Sequence, residues 1–241
     1  MRKLIVPGLL SALALSACGG SSNSSSSPAT PPPPVDRTAS YTIAVTNLTN
    51  AQPLSPIAVV GHDGSFQVFA IGAPATPGLE DLAESGSNAA FIAEAEAAGA
   101  LQALSGAGVI MPGANDSVSM VINDEDIADL NLSVATMLVN TNDAFTGVNR
   151  LDISVMAVGE TRQMNLIAYD AGTEADTEEA ATIPGPAAGG EGFNAARDDD
   201  ADRVSMHAGV VTSSDGLATS GLTEQHRFDN PVARLSITRT D

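Results

Sequence analysis

Three acidic residues at the ends of apolar, strand-like runs are the best candidates in this chain for binding a cation. Asp170 and Glu174 lie four positions apart in the sequence LIAYDAGTEADTEE, where an apolar run enters a turn that contains glycine. Asp143 follows another apolar run, in the sequence MLVNTNDAFTG. Neighbouring carboxylates repel one another unless a positive charge neutralises them, and Ca²⁺ takes about six to eight oxygen ligands. The sequence therefore predicts a hard-cation site that includes loop carboxylates.

Two further acidic runs lack the pattern of a known calcium loop. The denser one, DDDAD at 198–202, has Arg203 where an EF-hand loop needs glycine, and Gly209 where it needs a bidentate glutamate. We therefore interpret this run as a solvated loop or as a second, weaker cation site. The run NDED at 123–126 is interpreted as a solvated loop.

The three histidines and the known catalytic motifs give no sign of an enzyme. His62, His207 and His226 show no zinc-binding spacing, and we interpret the first and last as hydrogen-bonded structural groups and His207 as packed beside a strand. The chain has no nucleophile elbow, P-loop or dinucleotide-binding motif. We predict no catalytic residue. A metal-dependent hydrolase that uses the same acidic cluster is the alternative, because spacing cannot identify paired acids among so many carboxylates.

Several motifs occur in the order in which they occur in the N-terminal domain of F-spondin. They are HDG at 62–64, GLEDLAESG at 78–86, NDAFTG at 142–147, LIAYDAGTE at 166–174 and HRFDNPVARLSI at 226–237. The chain therefore resembles a bacterial spondin-domain protein, over roughly residues 40–240.

The resemblance implies a C2-like antiparallel β-sandwich that holds one calcium ion, in a module for matrix or cell-surface attachment. Carried over by position, the implied calcium ligands are Asp143, Asp170 and Glu174. The family commonly has aspartate at the position of Glu174, and the longer glutamate side chain can still reach an ion. The domain has no cysteine, so the disulfides of animal relatives cannot form here.

The N-terminus has the pattern of a bacterial lipoprotein export signal. Two basic residues precede an apolar run at 4–15, and the sequence LSACG places Cys18, the chain's single cysteine, where a lipoprotein is cleaved and lipidated. The run is shorter than the about 20 residues that span a bilayer. We predict a signal peptide at 1–17 and attachment to the membrane through lipid on Cys18. Because Gly19 does not indicate retention at the inner membrane, the outer membrane is the expected location.

The rest of the chain is expected to form a linker and one domain. Residues 18–39 contain the lipidated cysteine and a Ser- and Pro-rich linker, and residues 40–241 suit a single domain. The Ala-, Glu- and Leu-rich segment 78–105 predicts a short helical insertion, with Ser87 or Asn88 as a cap. Eight short β-branched runs indicate a sandwich or barrel: 41–48, 55–62, 117–123, 135–141, 151–158, 164–170, 204–211 and 233–239. With the resemblance, we predict an all-β, C2-like antiparallel β-sandwich of about eight strands.

Charge and composition narrow the possible partners. With 29 acidic and 10 basic residues the chain carries a net charge of -19, which repels phosphate backbones and excludes nucleic acid. Solubility accounts for much of this acidity, although not for its clustering. We predict a calcium-binding, lipid-anchored envelope module that adheres to an extracellular or envelope protein or to a polysaccharide. A purely structural envelope component is the remaining alternative.

Overall fold

The structure is a computed structural model that describes residues 37–197 and 200–241. The predicted signal peptide, the predicted lipidation site Cys18 and most of the predicted linker lie outside the described residues. So do two residues of the acidic run at 198–202. The first strand begins at Thr38, two residues before the predicted start of the domain.

The first sheet has four antiparallel strands in the order β4-β1-β10-β7. Its strands are β1 (Thr38–Asn47), β4 (Asn115–Asn123), β7 (Thr161–Leu166) and β10 (Ala233–Arg239). Along β1 buried residues alternate with partly exposed ones, as expected for a strand with one face on a core. Register is set by this pattern, and buried Ile43 of β1 lies opposite buried Ile237 of β10.

The second sheet has six antiparallel strands in the order β3-β2-β5-β6-β8-β9. Its strands are β2 (Ala58–His62), β3 (Gln102–Ser105), β5 (Asn131–Met137), β6 (Ala144–Asp152), β8 (Ala168–Asp170) and β9 (Ser205–Met206). One face packs on the first sheet, around residues such as Val59, Val134 and Leu235. The other face packs on two helices, around residues such as Leu82 and Phe91.

Two short helices cover the outer face of the six-stranded sheet. Helix α1 (Pro77–Ser85) begins where the hydroxyl of Thr76 accepts a hydrogen bond from the backbone N–H of Leu79 at 3.2 Å. Helix α2 (Ala89–Ala97) is joined to that helix start by Glu94, whose carboxylate accepts hydrogen bonds from Thr76 and from the backbone of Gly78. Short 3-10 helices lie in the connections, at Asp124–Asp129, Ser213–Asp215 and Glu224–His226. Within the described ranges, none of the helices has the length and apolar character needed to cross a bilayer.

The predicted all-β sandwich is confirmed, with ten strands in the described part instead of about eight. The prediction at 233–239 matches β10, and those at 41–48 and 117–123 overlap β1 and β4 closely. The helical insertion is also confirmed, although it ends at Ala97 and the segment 102–105 forms β3.

Five strand predictions are wrong in part. The run 164–170 covers the end of β7 and all of β8, which belong to different sheets, and the run 55–62 begins three residues before β2. The run 151–158 is mostly a turn, in which Ile153 and Met156 are buried without belonging to a strand. The strand before it, β6, was missed because Gly147 and polar residues interrupt its apolar pattern. Only two residues of 204–211 form a strand, and 135–141 extends past the end of β5 into a turn.

Candidate cation site

The ends of two adjacent strands bring the predicted acidic residues together. β6 and β8 pair antiparallel with Ala144 opposite Asp170, so Asp143, which directly precedes β6, lies at the same edge of the sheet. Carboxylate oxygens of Asp143, Asp170 and a third residue, Asp176, lie within 4.8 Å of one another. We call these three residues the aspartate cluster.

The loop that joins Asp170 to Asp176 depends on one glycine. Gly172 has a φ of 73°, in the left-handed region that favours glycine. A Cβ atom at this position would lie 2.2 Å from the carbonyl oxygen of Arg203. Because any other residue would clash with this backbone, the turn that returns the chain toward Asp143 requires glycine.

Asp143 is the buried member of the aspartate cluster. Its Oδ2 accepts hydrogen bonds from the backbone N–H groups of Thr173 at 2.9 Å and Glu174 at 3.2 Å. Its Oδ1 is also buried, and it has no hydrogen-bond partner within residues 37–197 and 200–241. Burial, together with the charge of Asp170, raises the pKa of Asp143 to about 8. This carboxyl group therefore requires either a proton or a cation.

The other two aspartates connect this buried oxygen with the surface. Asp170 is half-buried, and its Oδ1 accepts a hydrogen bond from the backbone N–H of Gly172 at 2.7 Å. Burial raises the pKa of Asp170, and the nearby charge of Asp176 raises it further. The side chain of Asp176 is 38% exposed. A cation can therefore approach the cluster from the side of Asp176.

Glu174, the third ligand implied by the resemblance, lies outside the aspartate cluster. Its side chain is 2% exposed, and its Oε1 lies 2.8 Å from Nε of Arg197. Arg197 also donates from Nη2 to Oε2 at 3.1 Å, and the amide of Asn142 donates to Oε1 at 2.9 Å. The structure thus brings Asp143 and Asp170 together with Asp176, while Glu174 pairs with Arg197. Calcium ligation by Asp143, Asp170 and Glu174 stays a prediction. The acid two residues further along DAGTEAD was the available signal for Asp176.

A histidine and a further buried acid lie beside the cluster. His207 is buried, with Nε2 at 3.5 Å from Oδ1 of Asp176. Glu178 is also buried, and its Oε1 accepts a hydrogen bond from the backbone N–H of Val211 at 2.9 Å. Burial raises the pKa of Glu178 to about 7. This end of the sheet thus contains several carboxyl groups that are costly to ionise.

Fold and site together define an antiparallel β-sandwich module with an acidic cluster in the loops at the end of one sheet. The chain belongs to the spondin N-terminal family (Spondin_N), whose model matches residues 46–185, more than half of the 241. The match includes all three residues of the aspartate cluster, while the motif at 226–237 lies beyond it. No curated protein matches the chain. Family membership suggests an extracellular adhesion or binding module.

Proposed function

We propose that this protein is a calcium-binding, lipid-anchored module of the cell envelope that binds an extracellular or envelope protein or a polysaccharide. The observation that carries the proposal is Oδ1 of Asp143, which is buried beside two other carboxylates and has no hydrogen-bond partner among the residues that the structure describes. Burying a charge without a partner is unfavourable, and a bound cation would remove that cost. Carboxylate oxygens are the hard ligands that Ca²⁺ prefers.

In this proposal Asp143, Asp170 and Asp176 hold the ion. Glu174 is already neutralised by Arg197, and it therefore supports the loop instead of contacting calcium. A bound divalent cation would supply positive charge where these three carboxylates repel one another. It would also join the loop that follows β8 to the start of β6, which stiffens this end of the module for a partner.

The proposal includes no catalytic role for the cluster. A general acid or nucleophile must reach its substrate, and Asp143, whose pKa is the most strongly raised, has no exposed surface. The competing hydrolase proposal has a clear signature. Turnover of a substrate that is lost in Asp170→Asn while the fold stays intact would favour the enzyme.

Attachment to the membrane through lipid on Cys18 is the second part of the proposal, and its support is the LSACG sequence. We expect the protein to be labelled by a fatty-acid precursor and to fractionate with the outer membrane. Cys18→Ser should abolish both the label and the membrane association. A serine variant that keeps the label would refute lipid attachment at this position.

Calcium binding is tested by thermal unfolding of the full chain in calcium and in chelator. A ligand that binds only the native state at 100 times its dissociation constant adds about 2.7 kcal/mol, which raises the melting temperature by several degrees. Asp170→Asn should lose this response, whereas Asp124→Asn, an exposed acid outside the cluster, should keep it. A wild type that does not respond to calcium would refute the proposal. If the wild type does respond to calcium, binding to envelope polysaccharide or to envelope protein in calcium but not in chelator would identify the partner class.

A further inference from the structure

His207 directs a buried nitrogen without a partner toward the aspartate cluster. The residue is 4% exposed, and within the described part of the chain its Nε2 has no hydrogen-bond partner. Oδ1 of Asp176 lies 3.5 Å from this nitrogen. A buried N–H group without an acceptor costs about 1 to 3 kcal/mol, so a hydrogen bond from Nε2–H to the carboxylate of Asp176 would stabilise the ring.

The other ring nitrogen determines where the proton of His207 lies. The backbone N–H of Gly209 donates to Nδ1 at 2.9 Å, and the φ of 92° at Gly209 allows this N–H to turn back toward the ring. Because a nitrogen that accepts a hydrogen bond has no proton, the neutral ring carries its proton on Nε2. A nitrogen that bears a proton cannot ligate a metal. Nε2 is therefore a donor toward the cluster and not a ligand in it.

The same arrangement occurs a second time in the chain, where the donor already has its acceptor. The backbone N–H of Gly64, whose φ is 89°, donates to Nδ1 of His62 at 3.0 Å. Nε2 of His62 lies 2.9 Å from the hydroxyl of Ser133. The sequence His-x-Gly thus fixes the ring proton on Nε2 at both positions, and His62 provides a matched control that has no contact with the cluster.

We propose that His207 is a positioning residue of the calcium site, which holds Asp176 through Nε2–H and keeps the ligand set made of oxygen alone. Asp176 is the exposed member of the cluster, and His207 is the only residue that the described hydrogen bonds and ion pairs connect to its carboxylate. His207 also lies beyond the residues that the family model matches, so this contribution comes from outside the matched region. The inference rests on the proposed calcium binding and adds a residue to it.

The test is a calorimetric titration of the full chain with calcium, for the wild type and three variants. His207→Leu removes the donor and should weaken calcium binding about 10- to 100-fold, the usual effect of losing a group that orients a metal ligand. His207→Gln places an amide N–H near the position of Nε2 and should retain most of the affinity. His62→Gln should bind calcium like the wild type. Nitrogen-15 NMR of the wild-type ring should show the proton on Nε2 before and after addition of calcium or zinc.

Each result decides a separate point. A wild type that binds calcium, with a leucine variant that binds equally well, overturns the role of His207 and leaves the proposed function standing. An NMR spectrum that places the proton of His207 on Nδ1 also overturns the role of His207. This measurement uses the wild type, so it does not depend on any variant folding. A wild type that binds no calcium overturns the proposed function, and this inference with it.

Discussion

Replacing Asp143 by asparagine is expected to change stability in opposite directions with and without calcium. In the metal-free protein, burial and the charge of Asp170 raise the pKa of Asp143 from 3.8 to about 8. At pH 7 the folded protein therefore keeps a proton that the unfolded chain releases. At about 1.4 kcal/mol per pKa unit, keeping this proton costs the folded state roughly 4 kcal/mol at pH 7.

The raised pKa also fixes the direction of the pH dependence. The stability associated with protonated Asp143 is fully present below about pH 4, and it is lost as the pH rises through about 8. Asparagine has no such proton, and its oxygen can still accept from the backbone of Thr173 and Glu174. Its amide group can donate to the neighbouring carboxylates. Glu178, whose burial raises its pKa to about 7, contributes a similar slope in both proteins, so its effect cancels in their difference.

We therefore expect Asp143→Asn to be more stable than the wild type in chelator at pH 8, by about 2 to 4 kcal/mol. In saturating calcium the order should reverse, because the variant has lost a ligand. The assay is urea unfolding followed by circular dichroism at pH 5 and pH 8, with Asp124→Asn as the control. If the asparagine variant is the less stable protein in chelator at pH 8, the argument from the buried, unpartnered carboxyl is wrong.

Two further predictions concern the loop between the strand ends. Glu174→Gln breaks the buried pair with Arg197 and should lower the free energy of unfolding by about 3 to 5 kcal/mol, while calorimetry shows nearly wild-type calcium affinity. Asp176→Asn should weaken calcium binding while leaving the free energy of unfolding in chelator close to that of the wild type. If the Glu174 variant loses more calcium affinity than the Asp176 variant, Glu174 is a ligand. Gly172→Ala forces a Cβ atom against the carbonyl of Arg203 and should cost about 2 to 4 kcal/mol in urea unfolding. An alanine variant as stable as the wild type would contradict the turn described here.

The strands that the sequence predicts well are those with one face on a core. β10 alternates between buried and partly exposed residues, and its predicted and observed bounds coincide. β6 breaks the pattern because its first four residues, AFTG, are buried and include polar and small side chains between two covered faces. The two-residue β9 is held by pairing with β8, a contact that no local pattern reveals. Strand prediction therefore failed where burial comes from distant parts of the chain.

In the candidate site, too, some residues could be predicted from the sequence and others could not. Asp143 and Asp170 could be predicted because each follows an apolar run. The pairing that brings them together could not, because it is made by β6, the strand that the sequence did not predict. The choice between Glu174 and Asp176 lies in an irregular loop, where Gly172 sets the direction of the chain. It also depends on Arg197, which lies 23 residues after Glu174 in sequence and neutralises it. No periodicity specifies such a contact.

The unpartnered oxygen of Asp143 has a consequence for when this protein becomes fully stable. With no divalent cation available, the folded state at neutral pH must retain an unfavourable proton or bear a buried charge. In the proposed calcium-binding role, folding and ion binding are coupled, and a higher concentration of free calcium raises the free energy of unfolding. In the proposed role, an exported chain would pass from a compartment poor in free calcium to one that is richer. The exported domain would then be more stable in the compartment that is richer in calcium.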